Sequence, residues 1–517
     1  MSNEVVLRVE NNVTYIDGRM EREVYQGLKK CLGYMPEESF WMTEKFKAKF
    51  QDKDGNFKPG EEWRKEWDGS ITTLCWNSNS CKCNTKKKGT HFPSGLLSKA
   101  KSHFSDNNIK FTIVDNRIKS NRDQELSLSD EFQKRDYQEE AIQKIVDSDR
   151  GMVKMATGSG KTVVSSGVIV ARGVYPTIFY VPSIDLAVQA KNEIEKFVRQ
   201  NGSNIEVGQI GGGKKDIKDI NVMTIQTAVR VMGGVWKKFD EYDKLEDDTN
   251  IDDFKSDVKD LIQSAKLMIC DEVQHWASET CQIISDSSVS AQYRYGFSAT
   301  PWRDKGDDIL IDACFGKCLV DINASFLIRN GYLVKPTIYM IPMEVPASVK
   351  KNKKTYPDIY KYGVVENSYR NGWIADSAKS FYDNGNNILI LVRQINHGKL
   401  LEDLIPGSYF IHGSHSSKKR KTHLDKMREG GPLVTISSVI FDEGIDCKCL
   451  DTLLLAGSGK SPTRALQRIG RVLRPFKGKT SATVVDFRDS CKFLKDHSKE
   501  REKMYRSEPE FDIKTVI

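Results

Sequence analysis

The sequence predicts an α/β protein, with two tandem parallel-sheet domains preceded by a small αβ module. Three observations predict it. From Phe132 onward, short apolar strands alternate with helical stretches and each strand ends in polar residues, which is the rhythm of a parallel sheet. A second run of the same kind begins near Leu333. Only the first run carries a glycine-rich phosphate loop, Met155-Ala-Thr-Gly-Ser-Gly-Lys-Thr162. The expected domains are 1–130, 131–332 and 333–517, the number that 517 residues suggest at ~150 residues each.

Bulk properties narrow the class. Hydrophobic content of 38% suffices for packed cores, and charged content of 29% is that of a soluble chain. The formal charge of +8 permits a polyanionic partner and equally suits an ordinary, slightly basic protein. No apolar run approaches the ~18 residues of a membrane span. The first residues lack a basic region followed by an apolar one, so a cytoplasmic location is expected. The 11 cysteines are scattered and odd in number, as reduced thiols are. Cys75, Cys81 and Cys83 cluster without CxxC or paired histidines, so zinc is not expected.

In the first module, Val5–Val9 and Val13–Ile16 read as a hairpin and Glu21–Leu32 as a helix. After Trp63–Gly69 come a strand at Ile71–Trp76, a basic loop around Lys86–Lys88, a helix opening at Phe92–Leu97 and a strand at Lys110–Asp115. Its aromatics interleave with Lys and Arg, which fits nucleic-acid contact and the core of a small domain equally. In the second part, the expected strands are Thr177–Val181, Ile205–Ile210, Asn221–Thr227, Lys266–Cys270 and Tyr295–Phe297. The acidic stretch from Phe239 to Asp260 interrupts this rhythm and reads as a solvated insertion. In the third part, strands are expected at 387–393, 407–413, 433–438 and 451–456, and Pro346–Arg370 reads as a linker or surface arm.

The chemistry starts at the loop. Gly158 and Gly160 let successive N–H groups face one point, and the helix opening at Lys161 adds its positive end. Thr157, Gly158, Ser159 and Gly160 form the cradle; Lys161 reaches β/γ-phosphates and Thr162 can ligate Mg²⁺. Asp271-Glu272 follows an apolar strand. Downstream of a phosphate loop, Asp271 can hold Mg²⁺ and Glu272 can orient and deprotonate the attacking water. In Gln467-Arg468-Ile-Gly470-Arg471-Val-Leu-Arg474, the two arginines three apart should share a helical face and meet a γ-phosphate. The second α/β run has no phosphate loop of its own, so its expected use is to donate these arginines across a cleft.

MATGSGKT, DEVQH, SAT (Ser298 to Thr300), Gly444-Ile-Asp446 and QRIGRVLR, in this order, resemble superfamily 2 helicases over Phe132 to about Asp489. DEVQH resembles the DEAH-like branch. The resemblance implies tandem RecA-like motor domains that use ATP and Mg²⁺. It implies adenine reading by Arg135 and Gln138, nucleotide contact by Gly444 and Asp446, and a catalytic part for Gln467. His275, Ser298 and Thr300 would couple hydrolysis to domain motion. Pro182, Ser183, Gly211, Gly212, Thr224, Gln226 and Thr227 would line the strand-binding face of the first motor domain, and Arg393, Ser437 and Ser438 that of the second. Such contacts go mainly to phosphate and sugar. Trp67-Asp68-Gly69 and Phe92-Pro-Ser-Gly-Leu-Leu97 resemble the N-terminal domain of UvsW-type phage helicases. That implies a monomer acting on branched or forked DNA, with duplex at the module and a single strand across the motor domains. RNA or RNA–DNA hybrid unwinding and restriction-type duplex translocation are the alternatives.

Overall fold

The computed structural model describes all residues except 1–3, 19, 37–38, 40–42, 44–46, 49–50, 52–55, 57–69, 76–88, 124, 131–133, 235–250, 303–305, 439–446, 458, 460 and 517. Trp67–Gly69, Lys82–Lys88, Gly444, Asp446 and the first half of the acidic stretch therefore lie outside the described residues. The chain divides into two compact units. One comprises Met1–Met155 and Gly160–Asp321, the other Ala156–Ser159 and Ile322–Ile517.

The first unit opens with the expected hairpin, β1 (Val5–Val9) and β2 (Val13–Asp17), then α1 (Arg22–Cys31). Two short strands, β3 (Gly33–Tyr34) and β4 (Ile71–Thr72), pair with each other, so the strand expected at 71–76 is only two residues long. β5 (Thr90–Pro93), α2 (Leu97–Asp106) and β6 (Phe111–Asp115) complete a sheet ordered β5-β2-β1-β6. Alternation in β1 sends Val5, Leu7 and Val9 inward.

Next come β7 (Leu126–Leu128), α3 (Asp136–Val146), β8 (Arg150–Met155), α4 (Lys161–Arg172), β9 (Thr177–Val181) and α5 (Ile184–Phe197). β10 (Val198–Gln200) and β11 (Ser203–Asn204) join β7 in a side sheet. The main sheet continues with β12 (Val207–Gly211), β13 (Lys214–Asp216), β14 (Ile220–Thr224), β15 (Leu267–Asp271), β16 (Tyr293–Ser298) and β17 (Cys318–Ile322). Its order is β13-β12-β14-β9-β15-β16-β8-β17, parallel from β12 to β8. Its helices include α6 (Ile225–Val231), α7 (Ile251–Ser264), α8 (Glu279–Ser287) and α9 (Ile309–Phe315).

Two expectations change here. Gln226 and Thr227 belong to α6 rather than to a strand, because Thr224 caps the helix through its hydroxyl. The second half of the acidic stretch is α7, which buries Val258, Leu261 and Ile262 in the core with Trp276 and Phe315. Its acids hid an apolar stripe of helical period.

The N-terminal module is built into this unit. Ile309 and Ala313 of α9 lie in one core with Val5, Leu7, Phe92 and Phe104. A Cβ on Gly95 would stand 2.2 Å from the Asp312 carbonyl, so only glycine permits this approach. The Asn11 and Asn12 side-chain amides donate to Val289 O and Asp286 O, and Arg150, the first residue of β8, donates to Asn11 O.

The second unit holds α10 (Ala324–Arg329), β18 (Lys335–Met343), α11 (Ala347–Asn352) and α12 (Tyr356–Tyr360). A π-helical turn (Lys361–Val365) leads into α13 (Ser368–Asp383). Pro346–Arg370 is thus not a linker or arm. Val349, Ile359, Tyr360, Val364 and Val365 form a second core with Cys491 and Leu494. Then follow β19 (Asn387–Leu391), α14 (Ile395–Leu404), β20 (Tyr409–Ile411), α15 (Ser417–Glu429), β21 (Leu433–Ser437), β22 (Thr452–Leu454), α16 (Pro462–Val472), β23 (Ser481–Asp489), α17 (Lys492–Arg506) and β24 (Asp512–Thr515). The sheet order is β20-β21-β19-β22-β23-β18-β24, parallel throughout.

Candidate nucleotide site and strand-contact residues

In the first unit, strand register collects the chemistry at one edge. Asp271 pairs with Phe297, and Ser298 with Lys154 one residue before the end of β8. Asp271, Ser298 and the start of the phosphate loop therefore leave the sheet side by side. This is the carboxyl edge, where parallel sheets hold ligands. Gly158 and Gly160 have φ of 86° and 83°, which opens the loop before α4. The buried Gln138 packs behind it. Its Oε1 accepts the Arg135 N–H at 3.0 Å, and its Nε2 lies 2.4 Å from where a Cβ on Gly160 would stand. Arg135 donates through Nη1 to the Tyr137 hydroxyl.

Asp271 accepts the Glu272 N–H at 2.9 Å. Burial, then the neighbouring Glu272 charge, pushes the Asp271 carboxyl well above the usual carboxylate range; Lys161 works against this. Glu272 sits at φ 49°, a strained conformation for a non-glycine residue, with a cost of order 1 kcal/mol. The donor set fits Mg²⁺: Asp271 is a hard carboxylate that makes no ion pair among the described residues, and Thr162 lies beside Lys161 in the first turn of α4. Among the described residues there is no cluster of three or more His, Cys, Asp or Glu that could hold a metal by itself. Mg²⁺ needs none, since it keeps waters and phosphate oxygens.

The link between Glu272 and Ser298 is made by Gln274, which the sequence reading passed over. Gln274 Nε2 donates to Glu272 Oε2 at 2.9 Å, and Ser298 Oγ donates to Gln274 Oε1 at 2.6 Å. The Ser298 hydroxyl also accepts the Thr300 N–H. His275, one residue on, donates its backbone N–H to Glu272 O. The signal for Gln274 was positional: it is the fourth residue of DEVQH.

The strand-contact residues expected in this unit come together. Gln226 Nε2 donates to Pro182 O, Ser183 caps α5, and a Cβ on Gly211 would lie 2.7 Å from Thr224 Oγ1. Gly212 packs on Ile184. Thr224 and Thr227 are buried and bonded hydroxyl to hydroxyl at 2.8 Å, so they hold this surface from beneath.

In the second unit, Arg393 is exposed and donates through Nη1 to the Tyr356 hydroxyl at 2.9 Å. Ser437 is buried and donates to Ser438 O. Gln467 and Arg468 are buried in α16. Arg471 occupies its last turn, whereas Arg474 lies beyond the helix end, so the two do not share a helical face. Within this unit, a Cβ on Gly470 would meet Thr157 Cβ at 2.6 Å, and Arg474 Cγ is 3.7 Å from where a Cβ on Gly158 would stand.

A phosphate loop, an acid pair and a serine at one parallel-sheet edge, with a second parallel unit carrying arginines, define a nucleotide-driven motor. Residues 131–303 match the family described as type III restriction enzyme, res subunit, and residues 375–475 the helicase conserved C-terminal domain. The chain belongs to the superfamily 2 helicases. Within them it is UvsW-like: the ATP-dependent DNA helicase uvsW of Enterobacteria phage T4 is 24% identical over 453 residues, 82% of each chain. The DNA 3'-5' translocase XPB2 of Sulfurisphaera tokodaii is 25% identical over 67% of this chain and 80% of that one. The putative DNA 3'-5' helicase Rad25 of Haloarcula marismortui is 26% identical over 66% of this chain, and the match spans only 50% of the relative's length. Among solved structures, S. cerevisiae Dbp5 bound to RNA and ADP BeF3 aligns with a TM-score of 0.50 at 16% identity, covering 75% of this chain and 90% of that one. The fold is that of tandem RecA-like motor domains.

Proposed function

We propose that the chain is an ATP-driven DNA helicase or translocase that unwinds or branch-migrates forked and junction DNA. We read it as a monomer of three parts, 1–130, 131–332 and 333–517, working in the cytoplasm. The observation that carries this is the gathering of Lys161, Asp271, Glu272 and Ser298 at one sheet edge. Lys161 and the loop amides hold the nucleotide's phosphates, and Gln138 supports the loop behind them. Glu272 orients water and accepts its proton. Arg471 and Arg474 stabilise charge on the transferring phosphoryl group. Thr162 and Asp271 would hold Mg²⁺, which would neutralise charge on the phosphate oxygens. Gln274 passes the state of Glu272 to Ser298. Pro182, Ser183, Gly211, Gly212 and Gln226, with Arg393 in the second unit, contact the strand.

The relatives named 3'-5' suggest that direction. The test is an unwinding panel of 3'-tailed, 5'-tailed, forked and four-way DNA and an RNA–DNA hybrid. Preferential unwinding of forked, four-way or 3'-tailed DNA is expected. Stimulation of ATPase by RNA alone would replace DNA with RNA as substrate. For the N-terminal module, charge reversal of the exposed Lys101 and Lys110 is expected to weaken fork binding while leaving basal ATPase intact. Deleting the module is a poorer test, since it strips Ile309 and Ala313 of their core.

A further inference from the structure

We infer that the lysine face of α17 is a second nucleic-acid contact, a rail for the phosphates of a single DNA strand. This inference rests on the helicase reading above. Lys492, Lys495, Lys499 and Lys503 are spaced three, four and four residues apart, so they fall on one side of the helix, and all are exposed. Lys495/Lys499 and Lys499/Lys503 are like-charge pairs at i,i+4, which destabilise an isolated helix. The side chains of Lys495, Lys499 and Lys503 make no hydrogen bond or ion pair among the described residues, even though Asp496 and Glu500 lie three residues before Lys499 and Lys503. The one acid near the hollow at the helix's end is already claimed. That hollow, of about 470 Å³, is lined by Lys499, Glu502, Lys503, Arg506 and Ser507. Both Arg488 and Arg506 bond to Glu502. A row of exposed cations without ion-pair partners is what a polyanion's backbone neutralises.

The rail is rigid and joins a surface already implicated. Leu494, Ser498, Arg501 and Tyr505 are buried on another side of α17. Arg501 pairs with Asp486 of β23 at 2.8 Å, and its Nη1 donates to Gly459 O, ahead of α16. At the other end, the exposed Phe493 ring meets Tyr356 edge-on, and the Tyr356 hydroxyl accepts from Arg393. Lys492 Nζ donates to Lys353 O. The lysine row therefore continues from Arg393, the residue expected to touch the strand. Continuity with that residue, and an exposed ring available for base stacking, favour a single strand.

The experiment uses the full chain and measures binding of single-stranded and blunt duplex DNA across a salt series. The triple variant K495A/K499A/K503A should bind single strands about tenfold more weakly. Its slope of log K against log salt should shrink by about 2, at ~0.7 per lost phosphate contact. Replacing the same residues with Arg should restore both, and ATPase without DNA should be unchanged in each variant. Unchanged single-strand affinity and slope in the triple variant, or a loss confined to duplex, would overturn the rail. If the wild-type chain binds and is stimulated by DNA in either case, the helicase reading stands; if it binds none, both fall.

Discussion

The two parallel sheets bury carboxylates in opposite ways. In the second unit, Asp486 accepts both arms of the Arg501 guanidinium and the Tyr505 hydroxyl, and Asp489 is paired to the buried Arg370 at 2.7 Å. In the first, among the described residues, Asp271 accepts a single backbone N–H, that of Glu272, with Lys161 acting at longer range. A buried carboxylate with its arginine in place is finished structure. One left to a backbone N–H, a more distant lysine and a like-charged glutamate is a candidate functional site. The same kind of sheet thus leaves a buried acid without an arginine in one unit and clamps two acids with arginines in the other.

Substitutions can break this contrast. The largest effect is expected for Lys161→Ala, which should lower DNA-stimulated ATPase by more than about 10³-fold. Near-normal turnover would remove the first sheet's edge from the chemistry. Arg471→Ala and Arg474→Ala should each lower kcat by about 10³-fold while nucleotide binding, measured by fluorescence titration, persists. A binding loss matching that of Lys161→Ala would assign them to ground-state binding instead. Asp486→Ala leaves Arg501 charged and buried, and should cost about 3–5 kcal/mol of stability in denaturant melts. A loss below ~1 kcal/mol would make the pair incidental.

The smallest expected effect at neutral pH is one that shows only as a slope in acid. His397 is buried, and its Nε2 donates to Asn371 Oδ1, because the Asn371 amide nitrogen already donates to Val365 O. Burial, then Arg370, pushes its pKa down to about 3. The unfolded chain takes up a proton near the ordinary value of 6.5 and the folded one does not. Stability is therefore full above that value and falls as pH drops from 6.5 toward 3, by up to about 1.4 kcal/mol per pH unit. Melts of His397→Gln should show a shallower acid slope; an identical slope would mean that His397 protonates freely in the fold.

Much of the site was legible because its signals are local. A glycine-rich loop between a strand and a helix dictates its own backbone, and an acid pair after an apolar run marks a strand end. Segments whose role depends on distant partners were not legible. Pro346–Arg370 looks polar along the chain, yet it buries Val349, Ile359 and Val364 against Cys491 and Leu494. The acidic stretch reads as solvated until α7 turns Val258, Leu261 and Ile262 toward one side. Arg474 falls three residues after Arg471, but the helix ends between them.

The sequence by itself determined the strand–loop–helix cradle, the acids, the arginines and the superfamily, since each is written in residues a few places apart whose backbone preferences and chemistry are intrinsic. Only the tertiary structure decided that Gln274 joins Glu272 to Ser298, that the N-terminal module shares a core with α9, and which carboxylates are clamped and which left open. Those facts are contacts between residues far apart in the chain or turned by a helix, and packing and strand register select them.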